Sequence, residues 1–468
     1  MPYEDPRPAP EAGSPGEHVT WTVHRPIGTK PERSGVGSMP RGGLAAVAAL
    51  LALVAVAPCA SASASVSTAS ASPVSVSTVR VSAATAAVSV PVPAGSPVAA
   101  NAVPGSTLSG TAIGTPYLPR PTGRHPVGTT SLHLTDPSRP DPWVPGVKAR
   151  ELMVSLWYPA KSPGGRRAPY MTPKESELLL KGTGMTGVPP DALSRTRTNA
   201  FVAAEPAGRR RGLPLVVLSP GFTWPRSSLT ALAEDLASRG YVVAGIDHTY
   251  ENFATTFPDG RVATCAACEL ETDDFGGKAV RSRAADTSFV LDELVGPDSK
   301  WRGGALIDPS RIAMAGQSLG GASAAETMLK DPRVRAGINM DGQMFAPIPA
   351  SGLARPFMFL GVRGPHSPGS GEDPTWDRDW RHLTGWKRWL VVAGAVHASF
   401  TDYDLLARQI GVDLGGTLPG PRTVEITRGY VRAFLDRHLR AKPQPLLEKP
   451  SPRYPEVAFC SPETKTCR

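Results

Sequence analysis

The sequence has no block of basic residues beyond Arg209, Arg210 and Arg211, and no basic stripe interleaved with aromatics. A nucleic-acid groove needs both. The formal net charge of +9 therefore points to weak contact with anionic surfaces such as a membrane face, and no nucleic acid is expected as a partner. No metal-ligand cluster and no cofactor fingerprint are present, so neither metal nor cofactor is expected. No internal repeat shows. Residues 60–105 lack charge almost completely, with Arg80 the one exception among Ala, Ser, Val, Thr and Pro. Such a stretch cannot bury enough apolar area to offset its ordering entropy. Residues 63–109 are read as a low-complexity linker.

What the sequence does have begins at its N-terminal side. Residues 43–57 form an apolar run preceded by Arg41 and followed by Ala60-Ser61-Ala62 and Ala62-Ser63-Ala64. A charged start, a short apolar run and a small-x-small site make a secretory signal peptide. The run falls short of the roughly 20 residues a membrane span needs. Residues 1–62 are thus assigned as an N-terminal extension plus signal peptide, with Met39 as a second candidate start. The rival reading is an uncleaved anchor at 43–57. Cys59 suggests a lipoprotein, but Pro58 is a poor neighbour for that. Export makes the chain secreted. Of five cysteines, four then remain, and an even number outside the cytoplasm suggests two disulfides. Local pairing, Cys265 to Cys268 and Cys460 to Cys467, is the simplest of three connectivities. A second CxxC or a nearby His that would support zinc at Cys265-x-x-Cys268 is missing.

From 110 to 442 apolar runs alternate with helical patterns, the signature of a largely parallel sheet covered by helices. Strands are expected at 152–158, 215–219, 241–247, 312–316, 334–340, 356–362 and 389–393. Helices are expected at 227–238, 281–295, 319–329 and 423–439. Residues 443–468 are set apart as a C-terminal tail carrying Cys460 and Cys467. The length from 110 to 442 suffices for one sizeable core.

Gly316-Gln317-Ser318-Leu319-Gly320 fits G-x-S-x-G. Alone the pattern is weak. Here a strand runs into it and an Ala-rich helix leaves it, which is the nucleophile elbow of the α/β-hydrolase fold. The fold class is accordingly α/β, a mostly parallel central sheet flanked by helices in a single catalytic domain. The turn needs Gly316 and Gly320 to avoid clashes, and it sets Ser318 at the carboxyl edge of the sheet beside a helix N-terminus. A serine hydroxyl needs a base. In this fold the base is a His late in the chain, and His397 follows the strand at 389–393. His366 lies in a Pro/Gly-rich loop, His382 among charges, His438 in the last helix, and His248 comes too early. The orienting acid should follow one of the two strands after the elbow helix. Asp341 stands directly at the end of 334–340, whereas Glu372 and Asp373 lie some ten residues beyond the other strand. Asp402, near His397, reads as the cap of a following helix. The oxyanion hole needs two backbone N–H groups, one from Leu319 and one from Ser219-Pro220-Gly221-Phe222, with Phe222 the candidate.

At this point the sequence resembles the secreted, type II branch of the platelet-activating-factor acetylhydrolase family. The resemblance rests on an ordered set of motifs: Arg150-Glu151-Leu152-Met153-Val154-Ser155-Leu156-Trp157-Tyr158-Pro159, Ser219-Pro220-Gly221-Phe222, Asp247-His248-Thr249-Tyr250-Glu251, the elbow, Met340-Asp341-Gly342-Gln343-Met344-Phe345 and Val396-His397-Ala398-Ser399-Phe400-Thr401-Asp402. It covers roughly 114–439. It implies Ser318, Asp341 and His397 as a triad, with Phe222 and Leu319 as oxyanion donors. Gln317 departs from the His common there, and Gln343 from an aromatic.

The stretch 365–386 is polar and Pro/Gly-rich with Trp376, Trp380 and Trp386 inserted. These either wall the substrate pocket or pack the loop onto the domain. Trp224, just after the oxyanion loop, is a further candidate for the cleft. No charged residue stands out as a phosphate or choline anchor. The expected activity is hydrolysis of a short-acyl lipid ester or simple carboxylic ester through an acyl-enzyme, by a monomer. A lipase or polyester hydrolase, and a non-catalytic binding protein on the same fold, are the alternatives.

Overall fold

The computed structural model describes residues 114–468 except 186 and 271–273. The signal segment, Cys59, Arg80 and the linker lie outside the described residues.

In chain order the elements are β1 (Val127–Asp136), β2 (Arg150–Pro159), β3 (Arg167–Pro169), α1 (Pro173–Gly182), β4 (Arg197–Val202), β5 (Leu213–Ser219), α2 (Thr230–Ser238) and β6 (Val242–Asp247). A small hairpin follows, β7 (Thr255–Thr256) with β8 (Val262–Ala263), then α3 (Phe275–Leu294), β9 (Ile307–Gln317), α4 (Leu319–Lys330) and β10 (Val334–Met340). The chain continues with β11 (Phe357–Val362), α5 (Thr375–Trp380), β12 (Lys387–Val392), α6 (Tyr403–Gln409), α7 (Gly420–Arg440), β13 (Val457–Ser461) and β14 (Thr466–Cys467).

One sheet of 12 strands runs in the order β14-β13-β12-β11-β10-β9-β5-β6-β2-β1-β4-β3. Its centre, from β12 to β6, is parallel. Strand β5 shows why. Val216 and Leu218 enter the core layer beneath α2 and α7, while Leu215 and Val217 enter the layer beneath α3 and α4. A strand apolar on both sides is stable only between two helical layers. Register then places the site: Ser219 pairs with Gly316, Gln317 with Met340, and Met340 with Leu360. The carboxyl ends of β5, β9, β10 and β11 therefore finish level, side by side.

The expected strands and helices all form. The expected tail does not stand apart. β13 pairs antiparallel with β12, Leu390 opposite Phe459, and Leu447, Tyr454 and Val457 are buried in the core. The sheet thus continues past residue 442. Both local disulfides form, Cys265–Cys268 and Cys460–Cys467. No helix among the described residues is long and apolar enough to cross a membrane.

Candidate active site

The turn from β9 into α4 is as tight as the glycines suggested. A Cβ on Gly316 would lie 2.1 Å from the Gly320 carbonyl carbon, and one on Gly320 would lie 2.0 Å from the Ser219 oxygen. Ser318 between them adopts φ 56°, a conformation that side chains disfavour. Its N–H donates to Met340 O at 2.8 Å, which ties the elbow to the end of β10. Asp341, the next residue of that strand end, also has positive φ, 58°. Its backbone N–H reaches Leu360 O at 3.0 Å, and its Oδ1 accepts the Val362 N–H at 2.7 Å. Its Oδ2 lies 2.6 Å from His397 Nδ1.

That short contact sets the tautomer. An ionised carboxylate only accepts, so Nδ1 carries the hydrogen and Nε2 the lone pair. The lone pair is met by Gln317, whose side-chain amide nitrogen lies 3.0 Å from His397 Nε2. The same nitrogen donates to His397 O at 3.1 Å, which orients the amide. Gln317 Oε1 is buried without a partner. Asp341 and His397 are thus brought together, and Ser318 is on the adjoining elbow, but no hydrogen bond joins Ser318 Oγ to the imidazole. The aspartate side chain is 4% exposed and the imidazole 52%, so the acid is enclosed and the ring faces the cleft.

The Phe222 and Leu319 N–H groups have no hydrogen-bond partner in the protein. Leu319 is the first residue of α4, where N–H groups lack intrahelical acceptors. Phe222 follows β5 on the neighbouring strand end. Two unengaged donors beside Ser318, one at the start of α4 and one just past the end of β5, are the backbone an oxyanion hole requires.

Sequence reasoning passed over one neighbour of the acid. Buried His366 sits on the other side of Asp341, Nε2 to Oδ1 3.3 Å, with its Nδ1 3.3 Å from Asp373 Oδ2 and its ring stacked on Trp376. The composition of its loop hid it, since the loop folds back under the site.

The tryptophans divide. Trp224 packs edge-on against Tyr403 and lies 5.9 Å from the His397 ring. Trp376 is fully buried beneath Phe359 and His366, and its indole N–H donates to Gly342 O. Trp380 packs on Trp389, and Trp386 on Phe434 and His438. Of the two readings open for Trp376, Trp380 and Trp386, the structure shows packing: they hold the 365–386 loop onto the domain, and their place as substrate-pocket residues is corrected. Burying such large rings stabilises more than exposing them at a rim.

The wall comes from elsewhere. A cavity of about 250 Å³ opens beside His397. Leu179 and Leu180 of α1, Met185, Leu193, Trp224, Leu406 of α6 and Ile410 are among its lining, and none of the lining side chains is Asp, Glu, Lys or Arg. Helix α1 is set by a capping box, Thr172 to Glu175, with Pro173 at its first position.

The model of the family described as platelet-activating factor acetylhydrolase, isoform II, matches residues 112–264 and 304–443. A probable 1-alkyl-2-acetylglycerophosphocholine esterase from Arthroderma benhamiae is 28% identical over 392 residues, 77% of this chain and 95% of that protein. The platelet-activating factor acetylhydrolase of Cavia porcellus is 23% identical over 369 residues, 71% of this chain and 80% of that one. Among solved structures, a ferulic acid esterase from Streptomyces cinnamoneus is 45% identical with a TM-score of 0.67, covering 74% of this chain and 100% of its own. The chain belongs to the platelet-activating factor acetylhydrolase, isoform II, family and is a carboxylic-ester hydrolase of α/β-hydrolase fold.

Proposed function

We propose that the chain is a secreted serine esterase that works through an acyl-enzyme on short-acyl lipid or simple carboxylic esters, with an apolar group of the substrate seated in the cavity. The observation that carries the reading is the Asp341–His397 contact beside the Ser318 elbow. Ser318 Oγ attacks the ester carbonyl, and its proton passes to His397 Nε2, displacing the Gln317 amide from that lone pair. Asp341 stabilises the imidazolium that forms. The Phe222 and Leu319 N–H groups take the oxyanion. His397 then protonates the leaving alcohol, and a water repeats the sequence in reverse to free the acid.

The cavity supports the substrate class. Its volume of about 250 Å³ suits a modest apolar group. Its lining offers no charge to a phosphate or choline group. Short-acyl lipid esters agree with the two relatives named for 1-alkyl-2-acetylglycerophosphocholine or platelet-activating factor. The 45% identity to a ferulic acid esterase favours a second reading, an ester with an aromatic acyl group. The two disulfides agree with export, and mass spectrometry of the mature N-terminus near Ala62 tests it.

The experiment is turnover of p-nitrophenyl acetate, butyrate and octanoate and of methyl ferulate. Ser318→Ala and Met185→Trp are assayed alongside. Ser318→Ala is expected to lose at least about a thousandfold. Met185→Trp, which narrows the cavity, is expected to cut turnover of the bulkier esters about tenfold, the cost of a lost apolar contact or two, and to spare the acetate. Equal activity of Ser318→Ala and wild type overturns the mechanism. An unchanged profile for Met185→Trp removes the cavity from the substrate site.

A further inference from the structure

A second Ser–His–Asp chain lies beneath the first. His248, which follows β6, has Nδ1 2.8 Å from Asp286 Oδ2 of α3 and Nε2 2.9 Å from Ser219 Oγ, the last residue of β5. All three residues are 0–1% exposed, so no substrate reaches Ser219. The surrounding charges fix the chain. Arg150 donates to both Asp286 oxygens at 3.1 and 2.9 Å, and Arg139 to Oδ1 at 2.6 Å. Burial alone would raise the Asp286 carboxyl, but the Arg150 charge and the hydrogen bonds from His248 and Arg150 together outweigh it and hold the group well below the usual carboxylate range. Burial, helped by Arg283, lowers His248 and keeps it neutral. The imidazole then donates from Nδ1 and accepts the Ser219 hydroxyl at Nε2.

What this chain grips is the oxyanion loop. Arg283, paired with Glu251 at 2.7 Å, donates to Pro220 O at 2.5 Å and lies 3.3 Å from Ser219 Oγ. Three residues beyond Pro220, Thr223 has φ 69°, an outlier for a β-branched side chain. Its N–H donates to Glu251 O at 2.8 Å, the backbone of the residue that pairs with Arg283. Phe222 lies between these two fixed points. A strained turn persists only where its surroundings over-determine it, and the buried charges supply that.

We infer that Ser219, His248, Asp286 and Arg283 are positioning residues that aim the Phe222 N–H at the developing oxyanion. The inference rests on the reading of Ser318 as nucleophile and of Phe222 and Leu319 as oxyanion donors. An N–H that must meet an oxyanion within hydrogen-bond distance tolerates little drift, and full loss of such a donor costs about 10²–10³ in kcat. Ser219→Ala removes the hydroxyl and nothing else. His248→Gln breaks the link between Asp286 and Ser219.

The test is steady-state hydrolysis of p-nitrophenyl butyrate by the full-length protein. Rates are normalised to sites titrated with a fluorophosphonate, and inhibition by an alkyl trifluoromethyl ketone is measured in parallel. Each variant is expected to lose about tenfold in kcat, part of the cost of a whole donor, with KM within twofold. The ketone, which forms a tetrahedral adduct at Ser318, is expected to weaken by the same factor. If both variants keep kcat per titrated site and ketone affinity within twofold, whatever happens to Tm, the residues serve folding alone and the inference is overturned. A wild type that neither hydrolyses the ester nor is labelled at Ser318 overturns the underlying reading, and the inference with it.

Discussion

Asp341 is held from two sides. His397 takes one oxygen, while Val362 N–H and His366 face the other. His366→Phe would keep the ring stack on Trp376 and remove both nitrogens. The acid would then be located by one backbone donor and its partner imidazole. The expected outcome is a loss of about tenfold in kcat, less than the hundredfold that a displacement of about 1 Å can cost. KM should hold steady. A kcat within twofold of wild type would leave His366 as packing. The residues that the motif and chain order single out, Ser318, Asp341 and His397, were legible because the turn geometry and the order of strands fix them locally. His366 and Gln317 were not, because each acts through a contact formed only when separate strand ends come level. The three tryptophans of 365–386 show the same limit. A loop sequence does not say which way its rings face.

Asp402 ties two elements together. It was expected to cap the helix after His397. It does stand at the cap position of α6, but its carboxyl turns away and accepts the Ala231 N–H of α2 at 3.1 and 3.2 Å. One residue thereby joins two helices behind the site. Burial pushes this carboxyl well above its usual range. The folded state therefore keeps the proton at pH values where the unfolded chain, ionising near about 4, has lost it. By linkage the contribution to stability is greatest below the unfolded value and is lost as pH rises through it toward the folded value. Asp402→Asn keeps an acceptor without the charge. It is expected to gain stability at pH 8, by about 1.4 kcal/mol for each tenfold preference relieved, and nothing at pH 4. Thermal melts at the two pH values check this, and a destabilised variant at pH 8 would show that the carboxyl itself is needed. The central strands and long helices were readable from periodicity, since each is apolar on the faces it buries. β1 was not. Its Thr, Ser and His residues alternate only weakly, and pairing with β2 along its whole length supplies what its own pattern lacks. α1, which lines the cavity, carried no chemical motif to mark it as part of the site.

At the scale of the whole molecule, the last 26 residues are structural. Removing 443–468 would strip Leu447, Tyr454, Val457 and Ala458 from the core and bare β12 along its outer side. Each large buried side chain lost costs about 2–5 kcal/mol, and total stability is only about 5–15 kcal/mol. A chain ending at Lys442 is expected to be insoluble or unfolded by circular dichroism, and a soluble, active product would contradict the placement of β13. The tail escaped sequence reading because its strands are short and it follows a long amphipathic helix that already completes the apolar pattern.

The two margins of the sheet carry a further consequence. One ends in β3, three residues long, with Arg166 and Arg167 before its terminal Pro169. The other ends in β14, two residues long and tied back by Cys460–Cys467. An open margin is a template on which another chain can polymerise, and brevity, charge and proline each blunt it. Each margin of this wide sheet is thereby a poor template for a second copy.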